Sequence, residues 1–531
     1  GLDRRADESG ASVMSAEERP SGTSPQELAR EVWEEESPAT VPPPRPATGA
    51  EPDHPRLLEL PVGTGAEGTR TEHDSMGDVE VPAAHYWGAQ TQRSRVHFAI
   101  GDERMPLAVV HAYGHVKRAA AAANAALGRL PAWKADAIAR VCAEIVAGEL
   151  DGEFPLSVFQ TGSGTHTNAN VNEVVANRAN QLLGSRPGSA SPIRPDDDVN
   201  MSQSSNDTFV TAMHVAAYDV TTRRTLAGLT RLQAALDRRA VEWASVLKVG
   251  RTHLMDATPL TVGEEWSGYA AALGAAIDAV TQSLGGLAEV ALGGTAVGTG
   301  VNAPAGFSAL VVQGLATSTG QPLRPARNPF AAQSTIDPLV RTHAELKTTA
   351  VTLFKIANDV RWMASGPRSG LAELRIPANE PGSTIMPGKV NPTQAEAVLM
   401  ACLMVMGNDV TVSSAGAEGN FELNAFRPLA ISTYLRSATV LGDVAASFAT
   451  HLVDGAQLDE GRLAAGVERS VMVLTALSPV IGYERAAAIV RDAVEHDLPA
   501  REAALRHGVS ADVYDEAVRS MRPPDDSSTA S

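Results

Sequence analysis

Four polar clusters interrupt an otherwise Ala-, Val- and Leu-rich chain: QTGSGTHTNANVNEVVANRA at 160–179, VNMSQSSNDTFVTAMH at 199–214, VGRTHLMDATPLT at 249–261 and PGSTIMPGKVNP at 381–392. Between them they offer hydroxyls, amides, a histidine and a lysine. Such a set suits a reaction that builds negative charge on oxygen, as removal of a proton beside a carboxylate does. The carbanion delocalises into a doubly charged aci-carboxylate, and preaimed donors in a dry pocket stabilise that charge. The chain has no P-loop, no Cys/His metal cage and no glycine-rich fingerprint after a strand, so a reaction with no cofactor and no metal is expected. GGTAVGTG at 293–300 imitates such a fingerprint but lies between helices, without an acidic partner at the right distance, and reads as a tight interhelical turn.

Each cluster stands at the entry to a helix. In the first, Gly162 and Gly164 permit a tight turn, and Ser163 and Thr165 add hydroxyls to free helix N–H groups, as an anion cradle or as ordinary caps. Asn168 and Asn172 follow on one face, and because Asn is a poor helix former, tertiary contacts must use those amides. In the second, Ser204, Ser205 and Asn206 offer more donors than one cap needs. In the third, Thr252 and His253 precede Pro259, read as the opening of a helix, and the histidine needs an orienting carboxylate to carry protons. The fourth supplies one. Asn391, Pro392 and Gln394 read as N-cap, first turn and capping box, so Glu396 is expected one turn into a buried wall, where His253 is its natural partner. Gly382 and Gly388 flank Ser383, Thr384 and Lys389 in a loop able to close and exclude water.

The elements that must position these groups are long helices. Stretches near 107–128, 219–246, 261–291, 336–365 and 393–412 each carry helical patterning, and strands are expected only near Val79 to Val81. Ala395 to Met406 is apolar nearly all round, which requires helices on every side and predicts association between subunits, with a large monomeric bundle as the alternative. The net charge of −18 and absence of a basic block exclude a general nucleic-acid surface. Two cysteines, Cys142 and Cys402, in apolar settings fit free thiols in the cytoplasm. No signal-length run or membrane-length apolar stretch is read, so no membrane partner is expected. Residues 1–70, rich in Pro, Glu, Ser and Thr, read as a disordered acidic tail, dispensable or an over-extended start with Met14 as a candidate beginning; 523–531 read as frayed.

From about Thr71 to about residue 520 the chain resembles the class II fumarases of the fumarase/aspartase superfamily. GSTIMPGKVNPTQAEA resembles the superfamily's signature loop, and TGSGTHTNANVNEVVANRA, SQSSNDTFVTAMH, GRTHLMDATPLT and GNFELNAFRPL resemble fumarase rather than its relatives. Aspartate ammonia-lyases carry Gln where this chain has His253 and Ala where it has Gly388. The resemblance implies a mostly α, three-domain fold, divided here as 71–201, a central bundle at 202–455 carrying loop 381–392, and a small helical domain at 456–522. It also implies a homotetramer whose active sites are shared by three subunits and which binds fumarate and malate.

By the same resemblance Ser383 is the base that takes the C3 proton of (S)-malate, made basic by Lys389 and loop N–H groups. Lys389, Val390 and Asn391 bind the carboxylate that becomes the aci-acid, and Ser163, Gly164, Thr165, Ser204, Ser205, Asn206, Thr252 and Thr384 hold the remainder. His253, polarised by Glu396, handles the proton of the departing hydroxyl. Two segments depart from the family: Thr384 replaces a second serine, and Arg194, Pro195, Asp196 and Asp197 stand where the secondary dicarboxylate site reads His-Pro-Asn-Asp. The alternatives are ammonia elimination from aspartate and a helical assembly protein without chemistry.

Overall fold

A computed structural model describes residues 55–521. Residues 1–54 of the expected tail, and all of the expected C-terminal fray at 523–531, lie outside the described residues. Residues 55–70, by contrast, are built into the fold. Leu58 N–H donates to Leu182 O, and the buried Arg178 guanidinium donates to Leu60 O and Pro61 O at 2.8 and 3.1 Å. These carbonyls complete a buried arginine, so residues 58–61, although exposed, are tied to the fold and do not belong to the expected disordered tail.

The chain is mostly helical. A hairpin of β1 (Thr69–Asp74) and β2 (Gly77–Pro82) leads into α1 (Ala89–His97), α2 (Leu107–Ala126), α3 (Ala132–Val146) and α4 (Thr165–Leu182). Then α5 (Ser205–Val220) runs through a π-helical stretch, Thr221–Leu226, into α6 (Ala227–Glu242) as one long rod. It is followed by α7 (Val262–Leu287), α8 (Phe307–Thr319), α9 (Pro329–Ser334), α10 (Asp337–Met363), α11 (Thr393–Ala417) and α12 (Arg427–His451). Five of these close a ring in which α6 packs on α7, α7 on α10, α10 on α11, α11 on α12 and α12 back on α6. Gly228 and Gly442 let α6 and α12 touch backbone to backbone, since a Cβ on Gly228 would lie 2.1 Å from Gly442 O. A separate apolar core, including Val473, Leu474 and Ile489, holds the C-terminal helices together.

Two expectations about local structure fail for identifiable reasons. Pro259 sits in a strand, not at a helix start: β3 (Leu247–Thr252) and β4 (Met255–Thr261) form an antiparallel hairpin with a register shift beside Val249, whose partner is Pro259. A bulge accommodates a proline that lacks a ladder N–H. The helix opens three residues later, where Thr261 and Glu264 form a capping box with bonds of 3.0 and 2.8 Å. Likewise, Asn391 does not cap α11. Pro392 is at the N-cap, the Asn391 amide donates to Gly382 O at 2.7 Å, and Gln394 accepts from Ser447 Oγ instead of closing a box. The loop's need to close on itself takes the amide that the cap would have used.

Helix α11 is long and apolar enough to cross a membrane on length and composition. Its place between α10 and α12, and the buried His343–Asp409 bond of 2.9 Å that ties it to α10, make it a bundle helix. Met400, Leu403 and Val410 on α11 remain 65%, 58% and 68% exposed, so one chain does not supply the enclosure that the all-apolar pattern calls for.

Candidate active site

The first two clusters meet. Gly164 is the N-cap of α4 with φ +80, and a Cβ there would fall 2.2 Å from the Phe209 ring, so only glycine lets α4 approach α5 this closely. This approach creates a chain of hydroxyls: Ser163 Oγ to Thr165 Oγ1 at 2.8 Å, and Thr165 Oγ1 to Ser205 Oγ at 2.7 Å. All three side chains are half-buried, whereas the helical turns behind them are buried. Ser204 serves as the cap, accepting from Asn206 N–H at 3.2 Å while Asp207 accepts from Ser204 N–H at 3.0 Å. Capping therefore uses one of the three adjacent donors. Ser205 is free to join the hydroxyl chain, and the Asn206 amide donates to Ala296 O at 2.8 Å.

The glycine-rich run at 293–300 packs against the start of α5. Gly293 and Thr295 N–H groups both donate to Asp207 Oδ2 at 2.9 Å. Burial pushes the Asp207 carboxyl up to about 6 against the pull of these donors. Buried Arg427 closes the other side, its N–H on Gly162 O at 3.1 Å and its guanidinium on Asn206 O at 2.8 Å. Of the two asparagines expected to make tertiary contacts, Asn168 does, accepting from Lys117 Nζ at 2.8 Å, but Asn172 Oδ1 is buried without a hydrogen-bond partner among the described residues; elsewhere on α4 Asn170 donates to Glu153 O, Asn177 to Tyr86 O and Asn180 to Ile193 O, each within 3.0 Å.

Thr252 and His253 stand at the tip of the β3–β4 hairpin. His253 and Leu254 have φ of +56 and +62, the two left-handed positions of a primed hairpin turn that ordinarily selects Asn and Gly. Neither is glycine, so the turn is strained by about 1–2 kcal/mol per residue. Both side chains are exposed. Arg251 anchors the hairpin through Glu373 at 2.6 Å, and Lys248 through Glu265 at 2.8 Å.

The fourth cluster forms a loop closed by its own bonds. Gly382 N–H donates to Lys389 O at 2.9 Å, and a Cβ on Gly382 would meet that oxygen at 2.4 Å. Ser383 Oγ accepts from the Met386 and Ile385 N–H groups at 3.1 and 3.3 Å. Thr384, Lys389 and Val390 are exposed. Glu396 is exposed as well, not in a buried wall, because it lies on the outer face of a first turn whose Ala395 is buried; among the described residues it has no bond to His253. Among the described residues no hydrogen bond or ion pair joins loop 381–392 or His253 to the Ser163–Thr165–Ser205 chain.

At the expected secondary site, Arg194 precedes a π turn, Pro195–Val199, and its guanidinium is paired with Asp197 at 3.0 Å. Burial and Asp197 raise the Asp196 carboxyl. The pair is largely exposed, so Arg194 is only weakly held by Asp197.

Sequence reasoning missed three residues that buttress the site: Lys117, Asp207 and Arg427. Lys117 had a readable signal, lying four residues from Tyr113 and Ala121 on the apolar face of an Ala-rich helix.

Residues 77–407 match the family model described as Lyase, and 473–522 match that of the fumarase C C-terminus. The chain belongs to this lyase family. A Methanosarcina acetivorans protein named fumarate hydratase class II is 56% identical over 465 residues, 87% of this chain and 96% of its own. One of the same name from Thermosynechococcus vestitus is 54% identical, over 85% and 97%. The class II fumarase structure from Schistosoma mansoni superposes with a TM-score of 0.83 at 40% identity, covering 86% of this chain and 98% of that one. Within the lyases, then, the chain belongs to the class II fumarate hydratases.

Proposed function

We propose that this chain catalyses the reversible hydration of fumarate to (S)-malate by anti addition and elimination through an aci-carboxylate. The observation that carries the mechanism is the pair of backbone N–H groups on Ser383 Oγ. Serine is a weak base in water, and two fixed donors stabilise its alkoxide as an oxyanion hole stabilises a tetrahedral intermediate. Ser383 takes the C3 proton. Lys389, beside Val390, supplies charge to the carboxylate that becomes the aci-acid, and Asn391 keeps one amide proton for it beyond the one given to Gly382 O. The hydroxyls of Ser163, Thr165 and Ser205, with Thr252 and Thr384, hold the remainder of the dicarboxylate. His253, polarised by Glu396, passes a proton to the departing hydroxyl through a water.

These groups come together between copies of the chain, as a homotetramer with each site shared by three subunits. The exposed apolar side chains of α11 and the exposure of both His253 and Glu396 support this assembly. Buried free thiols at Cys142 and Cys402 support a reducing, cytoplasmic setting.

Absorbance at fumarate's ultraviolet band, with malate and aspartate as rival substrates, tests the reaction: malate turnover is expected and aspartate turnover is not. Mixing tests the assembly. Ser383→Ala and His253→Asn are each expected to be inactive, and co-refolded one to one they should regain about a quarter of wild-type activity, the chance that a site draws an intact loop and an intact hairpin from different copies. No recovery would place both groups in one chain and refute the shared site.

A further inference from the structure

Lys117 lies midway along α2 and is fully buried. Its Nζ is 2.8 Å from Asn168 Oδ1, 2.9 Å from Asn200 Oδ1 and 3.0 Å from Gln203 Oε1. An ammonium has three protons, and three amide oxygens take them all. Each oxygen comes from a segment of the candidate site. Asn168 is three residues beyond Thr165 on α4 and also accepts from Thr208 Oγ1 of α5 at 3.2 Å. Gln203 immediately precedes Ser204 and Ser205. Asn200 ends the π turn that follows Arg194. The two hydroxyl-bearing segments are thus joined twice, directly through Thr165 and Ser205 and again through Lys117.

None of the three partners is a carboxylate. Asp207, an acid that acts on Lys117, is occupied by the N–H groups of Ser204, Gly293 and Thr295. Asp196 is the other, and its carboxyl is itself raised. A buried cation with only neutral partners in contact is costly unless something else supplies the opposite charge. A dianionic substrate on the hydroxyl chain supplies it.

We propose that Lys117 is a positioning residue that fixes the Thr165 and Ser205 segments relative to one another and lends the dicarboxylate a positive charge that no carboxylate in contact with it neutralises. This rests on the dicarboxylate reading given above. Burial pulls the Lys117 ammonium down to about 7, with Asp207 and Asp196 pulling the other way. The neighbouring Cys142 thiol is pushed up to about 12 and stays neutral, and the Tyr113 ring lies 5.7 Å from Nζ. The charge is therefore present below about pH 7 and lost above it, and a bound dianion draws the proton back.

Steady-state kinetics of Lys117→Met tests this. The expected result is a rise in the KM for fumarate of about tenfold or more, a smaller change in kcat, and loss of a wild-type decline in kcat/KM above neutrality. A KM within twofold of wild type, or an alkaline decline that persists in the variant, would overturn the inference while leaving fumarate hydration intact. If Lys117→Met does not fold, titration calorimetry of the wild type with succinate at pH 8 in buffers of different ionisation enthalpy gives an independent answer. Uptake of a proton, retained in His253→Asn, is expected, and no uptake overturns it. A wild type that does not turn over fumarate or malate would remove the dicarboxylate reading and this inference together.

Discussion

A single methyl group at Gly162 is the smallest change that should dismantle the hydroxyl cluster. Built on the backbone, that Cβ lies 1.4 Å from the Ala425 carbonyl oxygen and 2.4 Å from its carbon, where real Cβ contacts essentially never fall below 3.0 Å. One backbone must therefore retreat by about 1.6 Å in a region packed at interior density. Neither can do so alone. Arg427 N–H is bound to Gly162 O at 3.1 Å, and the Arg427 guanidinium is bound to Asn206 O at 2.8 Å, so moving either chain drags Ser163 away from Ser205. Overpacking of this kind costs about 1–3 kcal/mol, and the loss of the Gly162–Arg427 bond about 1 kcal/mol more. The catalytic effect should be larger, because a displacement near 1 Å in a positioned site costs on the order of 100-fold. Gly162→Ala is thus expected to lower kcat/KM for fumarate at least 100-fold while the protein still folds. Gly268→Ala, on the exposed face of α7 with nothing within 4 Å of its Cβ, is the matched control and should be fully active. Activity of Gly162→Ala within threefold of wild type would refute the claim that the backbone contact at Ala425 sets the hydroxyl geometry.

Glu173 accepts from Gly88, Gln90 and Thr91 N–H and from Thr91 Oγ1, at 2.8, 2.8, 3.2 and 2.5 Å, so Glu173→Ala strands four donors and should cost roughly 3–5 kcal/mol in urea unfolding. Thr261→Ala removes the cap of α7 and should cost about 1 kcal/mol by the same measurement. Burial raises the Asp207 carboxyl from 3.8 to about 6, so between those values the folded chain holds more protons than the unfolded one. Its contribution to stability is therefore greatest below about pH 4 and falls as pH rises to about 6. The difference in melting temperature between wild type and Asp207→Asn, followed across that window, should shift in favour of the variant as pH rises.

The sequence was most readable where local chemistry and tertiary demand coincide. Long Ala- and Leu-rich runs became helices because propensity and burial agree there, and Gly164 became a left-handed cap because nothing else fits against Phe209. The failures have a common physical cause, a tertiary contact that outbids a local preference. Asn391 and Pro392 have the composition of a helix start, but the loop takes the Asn391 amide for Gly382 O. Pro259 resembles a first-turn proline, but the bulge beside Val249 makes room for it in a strand. Leu60 and Pro61 sit in a stretch whose composition signals disorder, and they are fixed because the buried Arg178 needs their carbonyls. Lys117 was overlooked because a lysine in a helix is normally solvated, and only the identity of its neighbours four residues away betrays the buried face.

The candidate site divides into two halves of unlike mechanical character. Ser163, Thr165 and Ser205 rest on helix termini backed by Lys117, Asp207 and Arg427, each with its polar contacts in the protein interior, so this half is rigid before any substrate arrives. His253 and Ser383 instead stand on an exposed strained turn and an exposed self-closed loop. Strain in a turn with two non-glycine left-handed residues persists only if something over-determines it, here the Arg251–Glu373 and Lys248–Glu265 pairs at its base. On the proposed mechanism the rigid half suits the carboxylate that the reaction leaves unchanged, and the exposed half suits proton transfer and the carboxylate that becomes the aci-acid, steps that require water to be admitted and then shut out. On that reading binding and proton transfer fall to different segments, which accords with donors legible as clusters far apart in sequence and with a shared site between copies as proposed above.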